Sequence, residues 1–315
     1  MVGYTKAYKR GGAPPTPKEP GIYKNAVKAP HRYFWNKSPS KIVIVVGANR
    51  EGGVEKWKEP REWKTENTAI QDKRRYALRH GYDVVVKDLT FQKKHSHEHR
   101  EAWAKFDILR EAIRDHPEAE WFWYVDMNSY IMMPEISLEE LIWSHSESIS
   151  RDKTEYFHGK PSKTDSRMPY VDYDEPVELI VSQDCLGFNL ESFFIRRSEW
   201  TDMLLDVMFD PIFYKALHVK WVREEASALE YFYDEQAWVR SRVGFMPFRH
   251  FNSLARGCAD SDKPYLFTYN ETDGDFMVNM HNCRNRGDRN CHDEMEYYAQ
   301  LAEELHSSWF TNLFG

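Results

Sequence analysis

Basic residues are not in excess in this 315-residue chain: 43 Lys and Arg stand against 50 Asp and Glu, for a formal charge of −7. Without a cationic surplus to neutralise phosphates, nucleic acid is excluded as a partner. No apolar run approaches the roughly 20 residues that cross a bilayer, and no signal-peptide pattern opens the sequence. Cysteine is scarce. The four present, Cys185, Cys258, Cys283 and Cys291, form no CxxC pair, which excludes a zinc ribbon or a thioredoxin-like motif. There is no phosphate-cradling P-loop, no G-x-S-x-G, no Ser-His-Asp order and no internal repeat.

Hydrophobic residues make up 41% of the chain, enough for a sizeable core, and aromatic residues 15%, with eleven Trp. Flat apolar rings suit sugar faces, as they suit many soluble folds. An even cysteine count permits two disulfides, and Cys283 and Cys291 are close enough in sequence to close a small loop. Two sequons, Asn36-Lys37-Ser38 and Asn270-Glu271-Thr272, point the same way, towards a secretory compartment. Four buried thiols and two chance tripeptides are equally ordinary in a cytosolic protein.

Residues 1–40, with "GGAPPTPKEPG", read as a Pro/Gly-rich stem or linker, and 41–315 as one folded domain. "KIVIVVGAN" opens that domain as a strand buried on both faces. A helix is expected over 65–81 with Gly81 as its cap, then the strand "YDVVVKDL". Ala102, Phe106, Leu109 and Ile113 recur at helical spacing before Pro117, and "EWFWYVDMN" follows as an apolar strand with a polar end. This alternation predicts an α/β fold: a mostly parallel central sheet flanked by helices. A charged excursion is expected at about 146–176. "VELIVSQDC", "SFFIRRS" and "FMVNM" read as later strands, with helices over 198–208, 222–233 and 294–306.

The central chemical feature is Asp126-Met127-Asn128, at the end of the strand "WFWYV". Ligands of open α/β sheets bind at the carboxyl ends of strands, and an acid there can hold a ribose or a divalent cation. Taken alone, an Asp after an apolar strand caps a turn as readily. His95, His97 and His99 would share one face of a strand and could hold zinc, but a solvated loop fits their charged flanks better. Cys283, Cys291, His281 and His292 match no zinc spacing, and a disulfide-closed loop is the better reading.

The ordered stretches "AEWFWYVDMNSYIM", "LIVSQDCLGFNLESFFIRRSEW" and "DGDFMVNMHNC" resemble glycosyltransferase family 34. So do "YALRHGYDVVVKD", "HSHEHREAWAKFDILREA" and "RVGFMPFRHFNS". That family covers fungal α-galactosyltransferases, fungal α-1,6-mannosyltransferase subunits and plant xyloglucan xylosyltransferases. The likeness runs over about 41–309 and is greatest to subunits of the fungal mannan polymerase. It implies a GT-A-like nucleotide-sugar-binding domain from a type II Golgi protein, facing the lumen, whose anchor is not in this sequence. Asp126 and Asn128 would occupy the D-x-D position, and Gly47, Ala48 and Asn49 would lie near the nucleotide base. Lys73 and Lys105 would approach phosphate, unless they are plain helix surface. Gln183, Asp184 and Asn189 would lie near donor sugar and acceptor, with Gln183 and Asp184 as the catalytic pair. Asn128 and Asn279 would be the metal positions, for Mn2+.

Departures from the family pattern gather at one crevice. Asn128 replaces the second acid of D-x-D, and Asn279 the usual late histidine. Glu191 stands where a glycine is usual, and Ala226 and Ser227 interrupt an acidic helix. Losing one unit charge at about 4 Å, at an effective dielectric near twenty, forfeits about 4 kcal/mol before desolvation is counted. Two functions follow as expectations. One is a retaining hexosyltransferase using GDP-mannose, or UDP-galactose, on a mannan or N-glycan acceptor. The other is an impaired subunit that scaffolds an active paralogue in a hetero-oligomer.

Overall fold

The structure, a computed structural model, describes residues 41–48, 59–88, 101–143, 149–151, 170–220, 224–255, 264–280, 283 and 290–314. The expected stem, Asn49, the His95/His97/His99 run, His281 and the middle of the 146–176 excursion lie outside them. The strands are β1 (Lys41–Ala48), β2 (Asp83–Asp88), β3 (Ala119–Val125), β4 (Ser129–Ile131), β5 (Leu179–Asp184), β6 (Gly187–Arg196), β7 (Val243–Phe245), β8 (Ser253–Leu254) and β9 (Met277–Asn279). The helices are α1 (Pro60–His80), α2 (Ala104–Asp115), α3 (Leu138–Trp143), α4 (Glu199–Met208), α5 (Pro211–Leu217), α6 (Glu224–Glu235), α7 (Ala237–Arg240) and α8 (Cys291–Phe314). Among them no helix is long and apolar enough to cross a membrane.

Six strands form the main sheet in the order β2-β1-β3-β6-β5-β7. β1 pairs in parallel with β2 and with β3, and β5 with β7. Among the described strands of this sheet, β6 alone runs against its neighbours β3 and β5. The mostly parallel sheet expected from the sequence is therefore present, with one reversal that the apolar pattern did not announce. A buried antiparallel strand and a buried parallel strand are equally apolar, so composition carries no direction.

Alternation along the strands divides two cores. Val43, Val45, Phe122, Tyr124, Phe193 and Ile195 face α2, α4 and α6. Ile42, Ile44, Val46, Trp121, Trp123 and Phe194 face α1, α3 and the smaller sheet. Side chains of a strand point alternately to opposite faces, and here both faces are covered. Burying each of these large side chains contributes about 1.5–3 kcal/mol. The smaller sheet, β4-β9-β8, packs with α8 and α1 through Tyr130, Val278, Met280 and Met295.

α1 begins five residues before the sequence predicts. Pro60 sits at its first position, and Glu59 and Glu62 exchange the reciprocal bonds of a capping box. Gly81 ends it in the left-handed region at φ 76°, as expected. The described flanks of the excursion are stitched to β7: Ser150 and Phe245 exchange backbone bonds of 2.8 and 2.7 Å. Beside that bridge a Cβ on Gly244 would lie 2.7 Å from Ile149 Cγ2 and 3.0 Å from Val177 Cγ1. Gly244→Ala is expected to cost about 1–3 kcal/mol by overpacking, read as a lowered thermal midpoint.

Candidate active site

β3 ends in a locked turn. Asp126 N donates to Glu191 O across the sheet at 2.7 Å, and Asp126 Oδ1 accepts from Asn128 N at 2.7 Å. Ser129 Oγ donates back to Asp126 O at 2.6 Å. The side-chain oxygen of Asp126 thus replaces a backbone acceptor and sets the exit angle into β4. β4 pairs with β9 so that Ser129 faces Asn279, and Met280 N donates to Asn128 O at 2.7 Å. The β4–β9 pairing brings the backbones of Asp126, Asn128 and Asn279 into one neighbourhood, with the Asn279 side chain bonded to Asn252. Asp126 and Asn128 are half-buried, whereas Asn279 is only 1% exposed. Gly47 and Asp126 each lie two residues beyond the Val45–Tyr124 register pair, so β1 and β3 end side by side. Ala48, the last residue of β1, is buried.

Neither lysine is helix surface. Lys73 is fully buried, and its ammonium donates to Ser129 O and lies 3.4 Å from Asp72 Oδ2. Asp72 in turn accepts from Ile131 N at 3.0 Å. Burial pushes the Lys73 pKa down and the Asp72 pKa up, each opposed by the other's charge. The Asp126 carboxylate also favours the Lys73 cation. Lys73 therefore anchors the β3–β4 turn from beneath.

Lys105, from α2, lies 2.5 Å from Glu225 Oε1 and 3.9 Å from Glu191 Oε1, and donates to Leu190 O at 3.2 Å. It sits 5.4 Å from the Tyr124 ring centroid. Burial opposes its charge, but the Glu191 and Glu225 carboxylates outweigh burial and raise its pKa. Burial likewise raises the Tyr124 phenol, with the Asp126, Glu191 and Glu225 charges adding to it. Among the described residues, the Glu191 and Glu225 carboxylates cluster with the ammonium of Lys105, while Asp126 is felt by Lys73. Glu191, which stands where the family usually has a glycine, is one arm of this cluster and lies across the sheet from Asp126. Of the interrupted acidic helix, Glu225 reaches the cluster and Ala226 packs in the core.

Gln183 and Asp184 end β5, and Asn189 lies in β6; all three are buried. Asn189 Nδ2 donates to Asp184 Oδ2 at 2.8 Å, and Asn189 Oδ1 accepts from Glu191 N at 2.9 Å. Asn252 Nδ2 donates to Asn189 Oδ1 at 2.6 Å, and Asn279 Nδ2 donates to Asn252 Oδ1 at 2.7 Å. Sequence reasoning missed Asn252, although it lies within the quoted stretch "RVGFMPFRHFNS". No spacing rule marks a lone Asn before a two-residue strand. It also missed the anchoring role of Asp72.

Cys283 and Cys291 form a disulfide with Cα atoms 5.0 Å apart, so the closed loop is present and those thiols are not metal ligands. Cys185 is disulfide-bonded as well. His292 bonds Thr65 Oγ1 at 3.1 Å and lies 3.4 Å from Glu296. His292, Asp293 and Glu296 lie together at the start of α8, and Glu296 is paired with Lys64.

The strand-end donors are oxygens: the Asp126 and Glu191 carboxylates and the Asn128 amide. Oxygen donors of this type are the kind a hard divalent cation takes.

The carboxyl ends of parallel strands such as β1 and β3 are where α/β sheets of this kind hold nucleotides and sugars. The chain belongs to the galactosyl transferase GMA12/MNN10 family of glycosyltransferases, whose profile matches residues 38–291. It is 45% identical over 282 residues to "Probable alpha-1,6-mannosyltransferase MNN10" of Saccharomyces cerevisiae, covering 89% of this chain and 70% of that protein. It is 42% identical over 275 residues to an uncharacterized α-1,2-galactosyltransferase of Schizosaccharomyces pombe, covering 87% and 78%. A solved glycosyltransferase involved in glycosylation of the PBCV-1 major capsid superposes at a TM-score of 0.49 with 11% identity, over 82% of this chain and 99% of that one. The family resemblance read from the motifs is borne out.

Proposed function

We propose that this glycosyltransferase moves mannose from GDP-mannose onto an α-mannan chain, such as an N-glycan outer chain, in the Golgi lumen. UDP-galactose is the second donor. The names of the two relatives support hexose transfer and point to mannose and galactose. The observation that carries the reading is Asp126 at the end of β3, beside the end of β1 and opposite Glu191, with the Gln183–Asn189 hairpin next to it in the same sheet, its strand β6 pairing directly with β3.

In this reading Asp126 and Asn128, with Glu191, hold a divalent cation, Mn2+ first. When bound, that cation neutralises the diphosphate leaving group. Gly47, Ala48 and Asn49 receive the nucleotide base. Lys73 and Lys105 act through the turn and the carboxylates they hold rather than by direct reach to phosphate. Asp184 and Gln183, steadied by Asn189, orient donor sugar and acceptor hydroxyl, so that binding fixes the reacting groups in line. Glu191 brings a carboxylate to the position opposite Asp126, beside the place where Asn128 lacks one, and this supports an active enzyme over a scaffold.

Release of GDP from GDP-mannose with an α-mannoside acceptor, with and without manganese, tests the assignment, with UDP-galactose in parallel. Acceptor-dependent release from one donor is expected. Absence of release and of calorimetric binding for both donors would sink it. Tight association with a paralogous transferase subunit, without turnover alone, would instead establish the scaffold role.

A further inference from the structure

Asp184, Asn189, Asn252 and Asn279 form a buried chain in which every side-chain orientation is determined by its neighbour. An ionised carboxylate only accepts. Asp184 Oδ1 takes Leu186 N at 2.7 Å, and Oδ2 takes Asn189 Nδ2 at 2.8 Å. Asn189 must then turn its oxygen away, and two donors meet that oxygen: Glu191 N at 2.9 Å and Asn252 Nδ2 at 2.6 Å. Asn252 consequently presents its own oxygen to Asn279 Nδ2 at 2.7 Å, while its amino group also lies 3.4 Å from Ser182 Oγ. The four residues are between 0% and 6% exposed, so no bulk water relieves a wrongly turned amide.

The chain also joins two sheets. Asp184 and Asn189 belong to the main sheet, Asn279 to the smaller one, and Asn252 immediately precedes β8. Glu191, whose N bonds Asn189, gives its own carbonyl to Asp126. Asn279, at the other end, faces Ser129, next to Asn128. The bonds therefore run in a circuit from Asp126 through Glu191, Asn189, Asn252 and Asn279 back to the Asp126–Asn128 turn.

We propose that Asn252 is a positioning residue for the transfer site, carrying the acceptor-only character of Asp184 across to Asn279 and so fixing the orientation of the buried amides of Asn189 and Asn279 behind the strand ends. This rests on the site assignment made above. It adds a residue that touches neither strand end directly but holds the sugar-side carboxylate and the cation-side turn in one register.

The test is a double-mutant cycle of Asn252→Asp and Asp184→Asn. Asn252→Asp keeps the shape but sets a carboxylate oxygen against Asn189 Oδ1, and is expected to lower the thermal midpoint by about 5 °C. In the double variant Asn189 can reverse, accepting from the amide introduced in β5 and donating to the carboxylate introduced before β8. It gives up the Glu191 N bond, so about half of the lost midpoint is expected to return. Strictly additive shifts would overturn the coupling. The second readout is turnover of Asn252→Asp, normalised to folded protein well below its midpoint. About a tenfold loss in kcat is expected with donor KM changed less than threefold. Wild-type kcat per folded molecule would reduce Asn252 to a packing residue and overturn the positioning role. The melting cycle needs no donor, so a chain that turns over neither nucleotide sugar would refute the site assignment while leaving the coupling measurable.

Discussion

Asp126→Asn is expected to cut donor turnover by about a hundredfold or more while leaving the thermal midpoint within about 1 °C of wild type. The amide keeps the oxygen that accepts from Asn128 N, so the turn into β4 survives. What is lost is one unit of charge at the strand end. At about 4 Å and an effective dielectric near twenty that charge is worth about 4 kcal/mol, an upper bound of roughly a thousandfold in rate. Water admitted to the half-open crevice takes back part of it, hence the lower figure. The measurement is GDP release across a manganese series. Turnover that persists unchanged in Asp126→Asn would remove this residue from the donor site.

The largest expected stability effect is at Lys105. Lys105→Met leaves the buried Glu225 carboxylate facing Glu191 with no cation between them. Removing one partner of a buried pair costs about 3–5 kcal/mol, because an uncompensated charge stays inside. Denaturant melts at pH 7 are expected to show that loss, and Lys105→Met combined with Glu225→Leu to recover most of it. The sign with pH follows from the raised pKa of Lys105. Its contribution is complete below the ordinary lysine value of about 10.4 and fades only as pH climbs through the folded-state value. The deficit of Lys105→Met should therefore be constant from about pH 7 to 9. A deficit that vanished over that range would mean Lys105 is already losing its proton there.

Much of the frame was legible in residue order. The β-branched run of β1 and the aromatic run of β3 each specify a doubly buried strand, and the polar residues after them mark the ends where ligands bind. Gly81 marked the end of α1 because a left-handed cap favours glycine. The start of α1 was hidden, since Glu59, Pro60 and Glu62 look like solvated loop until their reciprocal bonds are known. The strand β9 was read from "FMVNM", but β4 and β8 are three and two residues long, too short to show any period. Their existence depends on pairing with distant chain, which a local pattern does not encode.

The site was legible only where one residue type at one place carries the chemistry. The place of Asp126 at a strand end could be read from sequence, and the Gln183–Asn189 stretch could be put forward from its resemblance to the family. The burial of Lys73 and Lys105 could not, because their apolar neighbours come from other elements. Glu191 looked like a defect for the same reason. Its partners, Lys105 on α2 and Asp126 after β3, are distant in sequence.

The reversal of β6 has a mechanical consequence. A two-residue turn joins β5 to β6, so Gln183, Asp184, Asn189 and Glu191 share one hairpin, held in the sheet between β3 and β7. The cysteine at its tip, Cys185, is tied by a disulfide. If the proposed site assignment holds, reduction of that tether is expected to loosen the sugar-side and cation-side residues together.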